Sequence, residues 1–432
     1  MLGGTKTSFP NAPKIIKSAS GVRITDIDGH DPVDAVGGLW CVNLGYSNDV
    51  VKQAISDQLW QLPYYSAFAG STNPAAIEAS YAVQEFFAED GMTRVFFTSG
   101  GSDSVDTALR MARQYHRLRG EPTRTKFLSL KKGYHGTHWG GASVNGNNRF
   151  RITYEPLLPG CYHLPSPYTY RNPYDETDGA KLAQKIAAAM VDEIEFQDPS
   201  TIAAFIMEPI QGAGGVIVPD ASFMKLMREI CDRYGILMIS DEVITGFGRT
   251  GDWTGARHWG VKPDMMTIAK GITSGYFPVG GVVLGDKVAD VFEKAGPEGS
   301  IWTGYTYSAH PVGAAAVVAC LSETLRLDTK SNAAVRGTQL YEGVKKLAEK
   351  YDIIGDVRGG HGLMMGIELV SDRAKKTPMD AATMKRVHQA TYEAGAMVRL
   401  GAHNILMSPP LVISEAEIDV ILSALDAGFA AA

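Results

Sequence analysis

The stretch DMMTIAKGITSGYFPVGGV, residues 264–282, decides how this chain is read. Its apolar start (Met265, Met266, Ile268, Ala269) has the composition of a buried strand, and Lys270 follows at once, ahead of Gly271, Gly275, Gly280 and Gly281. One strand–helix unit upstream, ILMISDEV (residues 236–243) sets Asp241 at the end of a second apolar strand. Outward from this pair, residues 93–284 alternate short apolar runs (RVFFT, KFLSL, IAAFIM, ILMIS, MMTIA, VGGVVL) with amphipathic stretches. Helical periodicity is clear over residues 107–118 and 223–234. The alternation predicts an α/β unit, a mostly parallel sheet with helices on both faces. Crossovers in such sheets are right-handed, so strand C-terminal ends gather on one edge, where Asp241 and Lys270 are expected to meet.

A lysine amine and a carboxylate at neighbouring strand ends suit pyridoxal phosphate. The amine condenses with the aldehyde, and the carboxylate keeps the ring nitrogen protonated so that the ring can absorb electrons. Taken singly, Lys270 also fits a solvated strand end, and Asp241 with Glu242 also fits a helix N-cap. A third element shifts the reading. In RVFFTSGGSDSVDTALRMARQY (residues 94–115) a strand runs through Ser99, Gly100, Gly101 and Ser102 into a helix. Glycine admits close backbone approach, and the unpaired N–H groups and dipole of a first helical turn favour an anion such as phosphate. Gly-Gly-Ser alone also fits a plain capping turn with Ser102 or Asp103 as the cap.

In KKGYHGTHWGG (residues 131–141), Tyr134 and His135 sit in a glycine-rich loop suited to lie over a flat ring, with Tyr134 as the stacking group. His135 and His138 lack a third ligand at metal-binding spacing. Glu208 ends IAAFIM, before Pro209, and stands at the same edge. It either caps the strand in solvent or, if buried, needs a partner: a substrate ammonium, His135 or an ordered water.

The remaining composition narrows the function class. At 432 residues and 45% hydrophobic, the chain is long enough for two domains with separate cores. A net charge of -6 with interspersed signs, and no basic block with interleaved aromatics, argues against nucleic acid and for small substrates. Cys41, Cys161, Cys231 and Cys320 show no CxxC spacing, which suggests a reducing compartment. The first residues lack a signal-peptide core, and no run approaches the roughly 18 apolar residues of a membrane span, so a cytoplasmic protein is expected. Residues 143–178, rich in Pro, Tyr, Gly and Asn, read as a long surface excursion. After about residue 326 a smaller domain is expected: a helix over 333–351, a strand through RGGHGLMMGIEL (358–369), another helix, the run ILMSPPL (405–411) and a last helix.

FFTSGGSDSVDTALRMAR, GYHGTHWG, IMEPIQGAGGV, ISDEVITGFGRTG, DMMTIAKGITSGYFPVGGV, GYTYSAHPVGAAA and RGGHGLMMGIEL, in that order, resemble the successive motifs of the class III pyridoxal phosphate-dependent aminotransferases. Within that family the chain is most similar to the omega-amine:pyruvate transaminases, from about Val22 to its end. The resemblance implies fold type I: a large domain over 59–325 with a mostly parallel seven-stranded sheet flanked by helices, a smaller α+β domain over 326–432, and an N-terminal segment, 1–58, joining the small domain. It also implies a homodimer, or a tetramer, with active sites shared between subunits and no nucleic-acid or membrane partner.

Residue by residue, Lys270 resembles the catalytic cofactor-bearing lysine, Asp241 the partner of the ring nitrogen, Tyr134 the stacking aromatic and Val243 the apolar contact on the other ring face. Gly101 and Ser102 match the phosphate-binding pair, and Thr306 matches a threonine that reaches the phosphate from the neighbouring subunit. His135 and Glu208 join the cofactor-binding set, while Leu39, Trp40, Phe68 and Tyr134 resemble substrate-pocket positions. Arg399, in GAMVRLGAH (395–403), matches the mobile arginine that turns inward for a carboxylate and outward for an apolar amine.

Three departures bear on function. Ser99–Gly–Gly–Ser–Asp–Ser104 replaces the Asn-Ser-Gly-Ser-Glu-Ala of many relatives. Ile244 replaces the glutamine of ornithine and 4-aminobutyrate aminotransferases, so something else must bond the cofactor's phenolic oxygen. Ala213 replaces the glutamate that gates the substrate arginine in 2-oxoglutarate users. The expected activity is ping-pong transamination from an omega-amine or amino-acid donor to pyruvate. Taurine, beta-alanine, a polyamine and an aromatic amine all remain open as donors. The same scaffold also hosts a decarboxylase of dialkyl amino acids and a semialdehyde aminomutase, which would show the same Lys270 and Asp241. A non-catalytic binding role is disfavoured by the intact lysine.

Overall fold

The computed structural model describes residues 13–68 and 70–432. Seven strands build the central sheet in the order Met92–Thr98, Gly280–Gly285, Met265–Ile268, Leu237–Asp241, Ile202–Met207, Lys126–Leu130, Cys161–Leu164. Gly280–Gly285 runs antiparallel to both neighbours, and the other pairs are parallel. Ile202–Met207, Leu237–Asp241 and Met265–Ile268 are buried at every position, as continuous apolar runs covered on both faces must be. Their register sets Asp241 beside Thr267, just ahead of Lys270 on the adjacent strand. The helix Gly101–Leu118 buries Val105, Ala108, Leu109, Met111, Ala112 and Tyr115, a three-to-four spacing that turns one face to the sheet. Phe223–Tyr234 does the same and stops at Gly235, whose φ of 66 is the left-handed cap that glycine adopts without steric cost.

All six apolar runs form strands. The seventh, Cys161–Leu164, lies inside the stretch expected to be only a surface excursion. It has four residues between Gly160 and Pro165, too few for a periodic signal, and becomes a strand by pairing in parallel with Lys126–Leu130. RGGHGLMMGIEL likewise is not one strand: Ile354–Arg358 and Met365–Asp372 pair antiparallel, joined by a turn that uses Gly360 and Gly362 at φ 80 and 62.

The C-terminal unit adds Arg399–Leu400 and Asn404–Met407 to that sheet and packs Thr329–Lys350, Ala381–Glu393 and Glu415–Ala430 against it. Its own core contains Leu340, Val344, Ile367, Leu369, Ile421 and Leu425. From the N-terminal segment, Val33–Asp34 pairs with Ala396–Met397 of this unit. The helix Asp49–Gln61 instead packs on Pro311–Arg326 of the large unit, with Asn48 Nδ2 donating to Glu323 Oε2 at 2.9 Å. The expected boundary at 58/59 therefore falls within a helix, and residues 1–12 of that segment lie outside the described residues. Fully buried Arg249 pins the three parts together, donating to the carbonyls of Leu363 (3.1 Å) and Pro409 (2.5 Å) and to Asn43 Oδ1 (2.8 Å). Among the described residues, no helix is long and apolar enough to cross a membrane.

Candidate active site

At the carboxyl edge of the sheet lies a cavity of about 340 Å³ lined by Lys270, Asp241, Glu208, Tyr134, His135 and Arg399, with Gly101, Ser102, Val243, Leu39 and Trp40 completing much of its wall. Three structural units converge here: the sheet edge, the N-terminal crossing near residue 40, and the Arg399 hairpin of the small unit. Lys270 begins a single 3-10 turn with φ 49. A left-handed non-glycine backbone is unfavourable, so tertiary packing must hold the lysine in this pose. Burial holds its ammonium below the usual value, against the opposing fields of Asp241 and Glu208. Lys270 has no ion-pair or hydrogen-bond partner among the described residues.

Asp241 is oriented from two sides. Its Oδ2 accepts from His135 Nδ1 at 2.7 Å and its Oδ1 from the Val243 N–H at 3.2 Å. His135 is fixed in turn by its own N–H, which donates to Asn145 Oδ1 at 2.5 Å, while its buried Nε2 has no protein partner. A carboxylate on Nδ1 selects the Nδ1–H form of the ring. His135 thus acts on Asp241 and is not the partner of Glu208. Glu208 Oε1 accepts from the Tyr134 N–H at 2.8 Å and Oε2 from the Gly212 N–H at 2.9 Å. With His135 turned to Asp241, Glu208 is held by two backbone amides, through which it clamps the Tyr134 loop to the Ala213 loop. Burial pushes its carboxyl up to about 7, with His135 opposing and Asp241 adding.

The strand Met92–Thr98 runs through Ser99 and Gly100 into the helix Gly101–Leu118, whose start faces the cavity. Gly100, before the helix Gly101–Leu118, makes no side-chain cap bond, and the Asp103 carboxylate is turned back to accept from the Ser99 N–H at 3.1 Å. A Cβ on Gly101 would stand 3.1 Å from Val243 Cγ1, so only glycine leaves both the amide edge and the Val243 wall clear. Ser102 Oγ accepts from the Thr137 N–H at 3.1 Å, tying the cup to the Tyr134 loop. The Tyr134 ring meets Phe150 edge-on at 4.9 Å. Phe150 is a wall residue that sequence reasoning missed, since it lies in the aperiodic excursion and carries no local signal.

Trp40 is only 2% exposed, belongs to the core and also faces the cavity, with φ 65; Leu39 beside it is exposed. Arg399 is half-buried and has no carboxylate partner among the described residues. Burial and then Arg149 hold its pKa below the usual guanidinium value, and Tyr134 opposes them. Ile244 and Ala213 both line the cavity, so no glutamine or glutamate stands at either place. Phe68 lies outside this cavity, and so does Thr306, which is expected to act from a neighbouring subunit. Phe68 lines a separate hollow with Trp302 and Gly304. Thr306 is exposed, its carbonyl accepting from Tyr64 OH at 2.9 Å. Neither lines the Lys270 cavity of its own chain.

These residues fit pyridoxal phosphate. An unpaired lysine amine, an oriented carboxylate and an uncapped helix start surround one cavity, whose walls carry an aromatic ring and an apolar side chain.

The sequence profile of the family Aminotransferase class-III matches residues 6–428. Putrescine--pyruvate aminotransferase of Pseudomonas aeruginosa is 37% identical over 95% of this chain and 89% of its own length. An amine transaminase from an uncultivated Pseudomonas species, solved in its PLP-bound form, superposes with a TM-score of 0.96 at 45% identity, covering 98% of this chain and 97% of that one. A thermostable omega transaminase engineered for synthesis of bulky amines superposes with a TM-score of 0.93 at 30% identity, covering 99% and 98%. That variant has a tryptophan, a phenylalanine and an arginine replaced. With the profile matching nearly end to end and the lysine, the carboxylate and the anion cup converging at the sheet edge, the chain belongs to the class-III aminotransferases, pyridoxal phosphate enzymes of fold type I.

Proposed function

We propose that the protein transfers an amino group from an omega-amine or amino-acid donor to pyruvate in two ping-pong half-reactions. One observation carries the reading: Lys270 and Asp241 share their cavity with a half-buried arginine that has no counter-charge among the described residues. Bound pyridoxal phosphate supplies an electron sink for the substrate carbanion and a temporary seat for the amino group. Lys270 Nζ holds the cofactor and, with its ammonium destabilised by burial, serves as the free base that takes the proton from the substrate carbon and returns it. Asp241, oriented by His135, holds the proton on the ring nitrogen. Tyr134 and Val243 would take the two ring faces, and the Gly101–Ser102 amides would take the phosphate. Arg399 pairs with the pyruvate carboxylate and turns aside for an uncharged donor.

Ala213 supports pyruvate over 2-oxoglutarate, since no glutamate stands ready to hold Arg399 away. The acceptor in the Pseudomonas aeruginosa relative's name points the same way. In the engineered transaminase, the replaced tryptophan, phenylalanine and arginine are separated by the same sequence intervals as Trp40, Phe68 and Arg399 here, which supports a substrate role for all three. Phe68 would then act from a second copy of the chain, as would Thr306. Exposed Trp302 (91%) and Tyr307 (62%) near them suit burial in such a homodimer. Four free cysteines suit a reducing, cytoplasmic setting.

The test is a half-reaction. Each donor is mixed with holoenzyme without acceptor, and the cofactor's visible absorbance should fall; added pyruvate should restore it with one alanine formed per site. Carbon dioxide release, or an amine that migrates within its own molecule, would overturn transamination.

A further inference from the structure

Beside the Lys270 cavity lies a second chamber of about 690 Å³, and Ala213 forms part of the wall of both. Lys131, Lys132, Arg151, His163 and His403 line it, and no carboxylate among the described residues does. The acids nearest to it are already engaged. Glu368, fully buried behind His403 (3.6 Å), is held by Arg171 at 2.6 Å, by Tyr168 OH and by Arg358 at 3.8 Å. Asp356 pairs with Arg358 at 2.5 Å, and exposed Glu155 reaches Arg151 only at 3.5 Å.

Of the lining cations, Arg151 meets only the exposed Glu155, and the two lysines meet no acid in contact, among the described residues. Lys131 and Lys132 make no side-chain hydrogen bond or ion pair among the described residues; Lys132 Nζ lies 5.5 Å from the centre of the Tyr168 ring. Arg151 gives Nη1 to the Asn145 carbonyl (3.1 Å) and to the His163 ring (2.9 Å), but its Nε is buried without a partner. Burial and then Arg151 hold His163 down to about 4, so at neutral pH it is uncharged and can accept from that guanidinium. Converging cations with spare donors in a partly dry chamber are stabilised by an anion.

We propose that this chamber binds the distal oxyanion group, a carboxylate, sulfonate or phosphate, of an amino donor whose amine end reaches Lys270 past Ala213. The inference rests on the transamination reading. Ala213 borders both spaces with a small, uncharged side chain; the donor would pass over its methyl, whereas an acidic side chain there would both narrow the way and repel the ligand. Donor selection is thereby shared. Lys270 reads the amine, and the basic chamber reads the far end of the molecule.

The experiment compares, on holoenzyme, a series of ω-aminoalkanoates of increasing length with n-alkylamines of matching length, in wild type and in Lys132→Met, Arg151→Met and Lys132→Arg. The expected result is a chain length at which the aminoalkanoate is preferred in wild type, with a KM raised about ten-fold or more in either Met variant, near wild type in Lys132→Arg, and unchanged for alkylamines throughout. Calorimetric titration with inorganic sulfate gives a readout apart from turnover. Sulfate should bind in a Lys132-dependent manner and compete with the aminoalkanoate but not with the alkylamine. Equal KM changes for both donor series, or none, would overturn the proposal. Lys132-dependent sulfate binding that does not compete with the aminoalkanoate would make the chamber a site for a free anion and remove it from donor recognition. If wild type turns over neither series, the transamination reading fails by itself, and absence of Lys132-dependent sulfate binding then sinks the chamber as well.

Discussion

Replacing Arg399 with leucine should separate the two half-reactions. Arg399 is half-buried at the cavity wall and unpaired among the described residues, and its charge is disfavoured by burial and by Arg149, so part of its desolvation cost is already met before a ligand arrives. A carboxylate acceptor can take two parallel N–H···O bonds from the guanidinium, each contributing about 1.5 to 3 kcal/mol. Because the side chain keeps some contact with water, the lower figure applies, about 3 kcal/mol for the pair. At about 1.4 kcal/mol per decade, pyruvate recognition should weaken by roughly two orders of magnitude. An n-alkylamine offers nothing for the guanidinium to grip, and its half-reaction should change by less than about three-fold. Leucine keeps apolar volume at the wall, and Arg399→Lys, with charge but no planar fork, should fall between. Stopped-flow measurement follows each half separately: amine with holoenzyme, then pyruvate with the aminated enzyme. Equal losses in both halves, or a pyruvate change under three-fold, would refute the pairing and leave Arg399 a structural residue.

Lys270→Ala should stay folded and keep cofactor through the Gly101–Ser102 cup while proton transfer slows by about 10²- to 10⁴-fold, read as the rate of absorbance loss on adding amine; near-normal rates would dismiss Lys270 as the base. Glu208 titrates in the native state at about 7, above its ordinary 4.5, so between these values the native protein holds the extra proton and stability falls as pH rises, by about 3 kcal/mol in cofactor-free protein. Glu208→Gln should abolish that slope in urea unfolding and remove a carboxylic-acid band, titrating near neutrality, from the difference infrared spectrum; parallel wild-type and variant curves would contradict the assignment. Thr306→Ala should weaken cofactor retention, and co-refolding it with Lys270→Ala should restore one complete site per mixed dimer. No recovered activity would place Thr306 outside the partner's site.

Much of this was legible before any fold was known, because burial writes itself locally. Ile202–Met207, Leu237–Asp241 and Met265–Ile268 are buried on both faces and therefore appear as unbroken apolar runs, and whatever polar residue follows such a run must stand at the sheet edge. Lys270, Asp241 and Glu208 are legible at the cavity edge that way, and Gly101 and Ser102 through the glycine at a strand-to-helix junction. Partners were a different matter. That Glu208 clamps the Tyr134 and Gly212 amides, and that His135 turns to Asp241, depends on how loops from three strands meet. Cys161–Leu164 became a strand only by pairing with Lys126–Leu130, and Phe150 reached the cavity from a stretch without period. The convergence of Arg399 from the small unit, the left-handed backbone at Lys270, and the exclusion of Phe68 from its own chain's cavity were likewise decided in three dimensions. The physical reason is one of range: hydrophobic periodicity reports each residue's exposure, a local quantity, whereas hydrogen-bond partners, shared cavities and strained torsions are set by contacts between segments from tens to more than a hundred residues apart.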